Sequence, residues 1–538
     1  MKQNMLRTLL VVGLLMLSPT LHAAAATPRP NIIFIMTDDH AAHALSCYGS
    51  KVNQTPHLDR IAQGGMLFRN AFVPNSICTP SRASILSGQY SHLNGVPVFN
   101  RLDGARQNMA KLLQAGGYTT AMIGKWHLGT DPTGFDRWIV LPGQGLYDEP
   151  EFLTPNGLLK INGYVTDVIT DLGIEFLEKR PEEKPFFLML HHKAPHRNWI
   201  PDPKHREMFK DRVIPEPPTL FDDYAGRPGA LPENEQTIAR DLTRRDLKLA
   251  PPDDLEQAER QKWLNAKPME LEVKQADGTM KMLTGKALVK WKYQRYMQDY
   301  LACVQSVDDN TGRLLDYLDQ KSLATNTVVI YTTDNGFFLG DMGMYVKRFM
   351  YEPSLRVPLM VRWPGVIRAG STSDKFALNI DFAPTFLNLA GLPTPADMQG
   401  ASLVDILQGR PAPGWRDAIY YRYYHDPGHH NTRAHLGLRT ATHKIMHYWK
   451  TDVWEMYDLM ADPQEQKNLV NEPAQQMKFA ELKIQLATLK KEMKDEDQFA
   501  NELPKDGVDG NFPDHGQQGL QNVSEALIHA RMKPEIGQ

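Results

Sequence analysis

Four short apolar runs in this sequence end abruptly in residues that bind metals, carry charge or move protons. Run 31–36 leads to Asp38, Asp39 and His40, and run 119–123 leads through Gly124 to Lys125 and His127. Run 186–190 leads to His191, His192, Lys193 and His196, and run 327–331 leads to Asp334 and Asn335. Asp38, Asp39, Asp334 and Asn335 offer oxygen ligands alone, and hard oxygen donors suit Ca²⁺ or Mg²⁺ rather than zinc. One such aspartate can simply cap a following helix; two pairs at two strand ends point to a shared cation. A fifth signal is the segment 76–88, SICTPSRASILSG. Thr79 there suits an N-cap and Pro80 the first helical position. Cys78 would then lie at a helix N-terminus, which favours anions and lowers a thiol pKa. Arg82 follows one turn along and can reach back to the same place. A buried structural cysteine is the bland alternative, against which the flanking Pro80 and Arg82 argue. A cysteine-phosphatase loop needs a longer gap between its Cys and Arg.

These residues need elements to hold them together. Apolar runs without alternation read as strands buried on both faces, as in a parallel or mixed sheet. Tyr293, Met297, Tyr300, Val304, Val307, Leu314 and Leu318 recur at helical spacing and mark one long helix against that sheet. The alternation of strand and helix gives an α/β domain, whose ligands bind beyond the carboxyl ends of the strands. Each polar cluster lies at such an end. Segment 202–285 is rich in charge and proline and reads as an insertion able to line a cleft. After residue 400 the character changes: 418–424 and 436–449 read as strands and 477–493 as an amphipathic helix. The expected division is a signal peptide 1–26, a catalytic domain 27–408, a C-terminal subdomain 409–495 and a polar tail 496–538.

The chain has 538 residues, a formal net charge of −3, 42% hydrophobic and 23% charged residues, which excludes wholesale disorder. The near-zero balance argues against a dedicated nucleic-acid binder. Cys47, Cys78 and Cys303 are too few for a disulfide scaffold. Lys2 and Arg7, the apolar run 9–17 and the alanines 23–26 form the three-part pattern of a secretory signal peptide. No later stretch is apolar enough to span a membrane. The expectation is export, to the periplasm if the host is Gram-negative.

Cys78-Thr79-Pro80-Ser81-Arg82 resembles the C-x-P-x-R signature of the type I, formylglycine-dependent sulfatases, and Leu86-Ser87-Gly88 follows its usual continuation. Gly124-Lys125-Trp126-His127-Leu128-Gly129 resembles their second signature. The likeness runs from about Pro30 to about Pro463. It implies the alkaline-phosphatase-like fold: a large, mostly parallel mixed sheet flanked by helices, plus a small C-terminal antiparallel sheet. It also implies that a sulfatase-maturating enzyme oxidises Cys78 to formylglycine (3-oxoalanine), whose hydrate supplies the nucleophile.

By the same resemblance Asp38, Asp39, Asp334 and Asn335 hold Ca²⁺ (or Mg²⁺), with residue 78 in its shell. Arg82 and Lys125 orient the hydrate, Lys347 and His196 contact the sulfate and its bridging oxygen, and His127 takes the hydrate's remaining proton after transfer. Positive groups are needed because charge builds on the transferring group and the leaving oxygen. His191, His192, His429 and His430 read better as core or surface histidines. Within the family the sequence is most similar to bacterial N-acetylglucosamine-6-sulfatases, through the segments 193–199, 347–352 and 379–385. One departure is Val346, where such relatives often carry an acidic residue. The implied substrate is a sulfated carbohydrate, with Trp199, Arg348 and His435 as candidate sugar contacts and Arg439 near the same wall. Competing readings are a sulfatase for a 2-O-sulfated uronic acid, another sulfated polysaccharide or choline sulfate, a two-metal phosphoesterase with Thr79 as nucleophile, and a non-catalytic glycan binder. Asn335 argues against the second metal, and the intact set of polar residues argues against decay.

Overall fold

The computed structural model describes residues 29–274 and 277–505, so the signal-peptide segment and residues 506–538 of the tail lie outside the described residues. The four apolar runs form the strands Asn31–Thr37, Thr119–Lys125, Phe186–His191 and Thr327–Thr333. They stand side by side in the order Thr327–Thr333, Asn31–Thr37, Phe186–His191, Thr119–Lys125, and every pairing is parallel. Met36 is in register with Thr332 and with His191, and His191 with Gly124. All four polar clusters therefore emerge at one edge.

The remainder of the sheet makes it mixed. Arg137–Leu141 continues it in parallel on one side, whereas Arg356–Arg362 and Met66–Phe72 join antiparallel on the other. Helices cover both faces, which is why the central strands are apolar on both sides. On one face lie Pro56–Gln63, Val165–Lys179 and the long helix Gly285–Gln320; on the other lie Cys78–Ser87, Met109–Ala115 and Phe382–Leu389. The long helix starts at Gly285, ahead of Tyr293, because its first two turns are mostly exposed and lack the apolar stripe.

The segment 202–285 has little regular structure, a helix Gln257–Asn265 and a hairpin of Glu270–Lys274 with Met280–Thr284. It still buries Leu220, Leu231, Ile238, Leu242 and Leu247, and Thr237 bridges to Met344 beside Lys347. Near the C-terminus a four-stranded antiparallel sheet runs Ala418–Tyr423, His435–Thr440, His443–Tyr448, Val453–Asp458, so that 436–449 is a tight hairpin. The helix Gln476–Glu492 packs on it. Beyond that helix Asp495 and Asp497 both pair with Arg422, at 2.5 and 2.7 Å. No helix among the described residues is long and apolar enough to cross a membrane.

Candidate active site

Cys78 opens the helix Cys78–Ser87, and Ile77 precedes it in extended conformation. Thr79 does not cap this helix: it lies inside the first turn, with Pro80 after it. Its hydroxyl instead donates to the His127 carbonyl at 2.9 Å and lies 3.2 Å from His127 Nδ1. The thiol also departs from expectation. Cys78 is 1% exposed, and burial pushes its pKa up to about 12, more than Lys347 and Arg82 can offset while Asp334 and Asp39 add to the rise. A helix start favours a thiolate only where water or positive charge can reach it. This setting does not favour a thiolate nucleophile.

Three acids and three bases pair with one another beside the start of this helix, and Lys347, Arg82, Asp334 and Asp39 among them act on Cys78. Lys125 donates to Asp38 Oδ2 and to Gln144 Oε1, and Lys347 donates to Asp39 Oδ1. Arg82 reaches Asp334 Oδ2 through Nε at 2.9 Å and Nη2 at 2.8 Å, and its Nη1 donates to the Lys125 carbonyl at 2.5 Å. All six side chains are essentially buried, which is tolerable because the charges compensate one another. The backbone is held in uncommon conformations here: φ is 66° at Asp39 and 57° at His127. Glycine is required at position 124, where φ is 99° and a Cβ would come within 2.0 Å of the His191 carbonyl oxygen. Only Gly lets this strand end lie so close to the neighbouring strand Phe186–His191.

Among the described residues, Asp38 Oδ1, Asp39 Oδ2 and Asn335 Oδ1 are buried oxygens without a hydrogen-bond partner. Orphaned oxygens of this kind are costly unless a cation joins them. Burial outweighs Lys347 and holds the Asp39 carboxyl above its ordinary range, the sign of a carboxylate short of positive charge. These residues therefore fit a hard divalent ion. Asp38, Asp39 and His196 each offer one ligand atom within 4.8 Å of the others, so His196 lies beside the carboxylates as well. Asp334 is committed differently, to Arg82 and at 3.4 Å to the Asp39 amide.

His196 Nδ1 lies 2.7 Å from the Arg197 carbonyl, leaving Nε2 directed at Asp39 Oδ2, 3.7 Å away. Burial, then Lys125, Lys347 and Lys193, hold its pKa well below the usual range and keep it neutral. Arg197 is clamped by Asp246 of the 202–285 segment, at 2.7 and 2.5 Å. Neither Asp246 nor Gln144 carries a sequence signal: one sits in an irregular segment, the other between two loop glycines.

Three proposed wall residues need correction. Trp199 is fully buried and packs on Tyr296 with ring centroids 4.6 Å apart, and on Phe337 and Tyr345, so it is core. His435 is also fully buried; its Nδ1 donates to the Arg433 carbonyl and its Nε2 accepts the Met350 amide, which leaves no nitrogen for a ligand. Arg439 pairs with Glu352 at 3.2 Å and lies over Phe72 and Phe376. Arg348 remains available, buried but with Nε and Nη1 lacking partners among the described residues. His191 and His192 are enclosed in the core. His429 stacks on Phe99 at 5.1 Å, and Phe99 in turn lies 5.9 Å from His127.

Comparison with known proteins decides the family. The profile described as Sulfatase matches residues 30–392, and that of the N-sulphoglucosamine sulphohydrolase C-terminal region matches 340–492. This chain is a member of the sulfatase family. As such it is a sulfuric ester hydrolase with the alkaline-phosphatase-like fold, and membership implies a formylglycine and a metal ion. An N-acetylglucosamine-6-O-sulfatase of Bacteroides thetaiotaomicron is 46% identical over 490 residues, 88% of each chain. The human N-acetylglucosamine-6-sulfatase is 28% identical over 74% of this sulfatase and 68% of its own length. A solved structure, described as in complex with its substrate D-glucosamine-2-N,6-O-disulfate, superposes with a TM-score of 0.82 at 45% identity, covering 88% of this chain and all of that one.

Proposed function

We propose that this sulfatase removes the 6-O-sulfate of a terminal N-acetylglucosamine, or of an N-sulfated glucosamine, from glycosaminoglycan-type glycans. The observation that carries the reading is the 46% identity with an N-acetylglucosamine-6-O-sulfatase across 88% of both chains. The site geometry supports the chemistry. Asp38, Asp39 and Asn335, with Asp334 and residue 78 close by, would hold Ca²⁺, or Mg²⁺, because the donor set is oxygen and three of its atoms are orphaned. Bound there, the ion supplies positive charge for sulfate oxygens. Cys78 is the residue for conversion to formylglycine by a maturating enzyme, and its hydrated aldehyde supplies a nucleophilic oxygen.

The chain's own residues do the rest. Arg82, whose charge acts on residue 78, and Lys125, which shares Asp38 with Arg82, would favour its ionised oxygen, and Lys347 would neutralise the sulfate. His196 is neutral in the free enzyme chiefly because it is buried, and Lys125, Lys347 and Lys193 add to the effect. A bound sulfate opposes those lysines, so His196 gains basicity as substrate arrives and can pass a proton to the bridging oxygen. His127, held by Thr79, is placed to take a proton from residue 78. The basic and apolar N-terminal pattern supports export, to the periplasm in a Gram-negative host.

The test is a panel of 6-O-, 2-O- and N-sulfated mono- and disaccharides, choline sulfate and a phosphate ester, assayed with protein whose aldehyde at position 78 is verified by peptide mass spectrometry. Preferential turnover of 6-O-sulfated glucosamines is expected. Preference for choline sulfate or a 2-O-sulfated uronic acid would reject the sugar. Preference for the phosphate ester, or full activity with unmodified thiol, would reject the mechanism.

A further inference from the structure

His196 enters the site from an irregular loop, beyond the end of the strand Phe186–His191, so the sheet alone does not aim its ring. Two hydrogen bonds hold it locally. Its Nδ1 lies 2.7 Å from the Arg197 carbonyl, and its own carbonyl accepts the Tyr147 hydroxyl at 2.5 Å. A carbonyl can only accept, so Nδ1 carries the hydrogen and Nε2 is the nitrogen that gains and loses a proton. The direction of Nε2 therefore depends on where the Arg197 peptide stands.

That peptide is gripped by the charged insertion. Asp246 is fully buried, and both of its oxygens are occupied. Oδ1 accepts from Arg197 Nε at 2.7 Å and from Asn198 Nδ2 at 2.8 Å. Oδ2 accepts from Arg197 Nη2 at 2.5 Å, and from the Thr243 amide and hydroxyl at 2.9 and 2.7 Å. Burial opposes the charge on Asp246, yet Arg197 and Thr243 hold its carboxyl well below the ordinary range. Lys248 donates to the Asn198 carbonyl. Arg197 also lies over the Tyr345 ring at 5.3 Å, and the Tyr345 hydroxyl donates to the Asp241 carbonyl at 3.0 Å. A bidentate fork fixes direction as well as distance. Here it fixes the residue whose carbonyl aims the histidine.

We propose that Asp246 is a positioning residue for the sulfatase reaction: through Arg197 it holds the carbonyl that orients His196, and by it the 202–285 segment completes the active site. This rests on the proton transfer assigned to His196 above.

The experiment is a double-mutant cycle on wild type, Asp246→Asn, His196→Ala and the two combined. Each is assayed on the alkyl sulfate ester preferred in the panel above and on 4-nitrophenyl sulfate, with rates normalised to aldehyde content at position 78. Asp246→Asn should lower kcat on the alkyl ester roughly 10- to 100-fold, the cost of a misplaced catalytic group, with KM within about threefold. On 4-nitrophenyl sulfate the loss should stay within about threefold, because that leaving group needs no proton. In the His196→Ala background Asp246→Asn should cost less than about threefold, since a residue that acts through His196 has nothing left to orient. Arg197→Lys keeps the charge and loses the fork, so it should show the same split between the two esters. It carries the same cycle should Asp246→Asn fail to fold, as judged by its thermal transition. An unchanged kcat in Asp246→Asn would overturn the proposal. So would an undiminished further loss on top of His196→Ala, the result of a staple that merely stabilises the fold. If His196→Ala itself loses equally on both esters, the proton reading fails, and the cycle alone then supports or overturns the role of Asp246.

Discussion

Thr79→Val separates a positioning role for Thr79 from a nucleophilic one. Valine keeps the branched shape and removes only the hydroxyl, which is fully buried and donates to the His127 carbonyl at 2.9 Å. Stripping a buried carbonyl of its donor should cost about 1–3 kcal/mol of stability. The catalytic consequence is larger than the bond itself, because His127 sits at φ 57° and Thr79 helps hold it there. A displacement of about 1 Å in such a group can cost roughly 100-fold. Thr79→Val should therefore lower kcat on a sulfate ester roughly 10- to 100-fold, with KM nearly unchanged, and Thr79→Ser should restore it. The assay normalises activity to the aldehyde content at position 78, so that poor maturation is not mistaken for poor catalysis. An unchanged kcat would refute the argument from His127. Complete loss of a phosphate-ester activity that exceeds the sulfate-ester activity in wild type would instead make Thr79 the nucleophile.

Asp334→Asn keeps an acceptor for Arg82 but lowers the negative charge of the oxygen cluster; bound divalent metal, measured by elemental analysis, should fall from one ion per chain, and activity should fall with it. Two zinc ions per chain would contradict the oxygen-donor reading. His196→Ala should slow turnover roughly 100- to 10,000-fold on a sugar sulfate and far less on 4-nitrophenyl sulfate, whose leaving group needs no proton; equal losses on both would remove the proton from its role. Away from the site, burial lifts Asp308 to about 6, and its carboxyl accepts the Leu58 amide at 2.8 Å. Between about pH 4 and 6 the folded state keeps a proton that the unfolded chain releases, so this contribution is full below pH 4 and lost as pH rises through 6, roughly 3 kcal/mol in all. Asp308→Asn should accordingly gain melting temperature over wild type as pH is raised from 4 to 7, and a constant difference between the two curves would refute the shift.

The strand ends were legible in the sequence for a physical reason. A strand buried on both faces must be apolar throughout, so the first polar residue marks where it leaves the sheet. Because Asn31–Thr37, Phe186–His191, Thr119–Lys125 and Thr327–Thr333 are parallel neighbours, their clusters had to converge. Side-chain direction beyond those ends was not legible. Trp199 follows His196 closely, yet at φ 46° the chain turns and sends the indole into the core against Tyr296. The pairing of Lys125 with Gln144, and of Arg197 with Asp246, depends on irregular loops without a period to read.

The segment 346–348 shows the limit most sharply. In regular strand, Val346 and Arg348 would share one face and Lys347 the other. Here φ is 78° at Val346 and 93° at Arg348, values foreign to a strand and unusual for a β-branched residue. The alternation is broken on both sides of Lys347, which frees it to reach Asp39 while Arg348 is steered among Tyr421, Tyr423 and His425. Alternation would have placed Arg348 by its distance in sequence from Val346. Its actual place is set by two backbone angles that residue type disfavours, held by contacts from the C-terminal sheet, and that is why a buried guanidinium without a counter-charge emerged only from the fold.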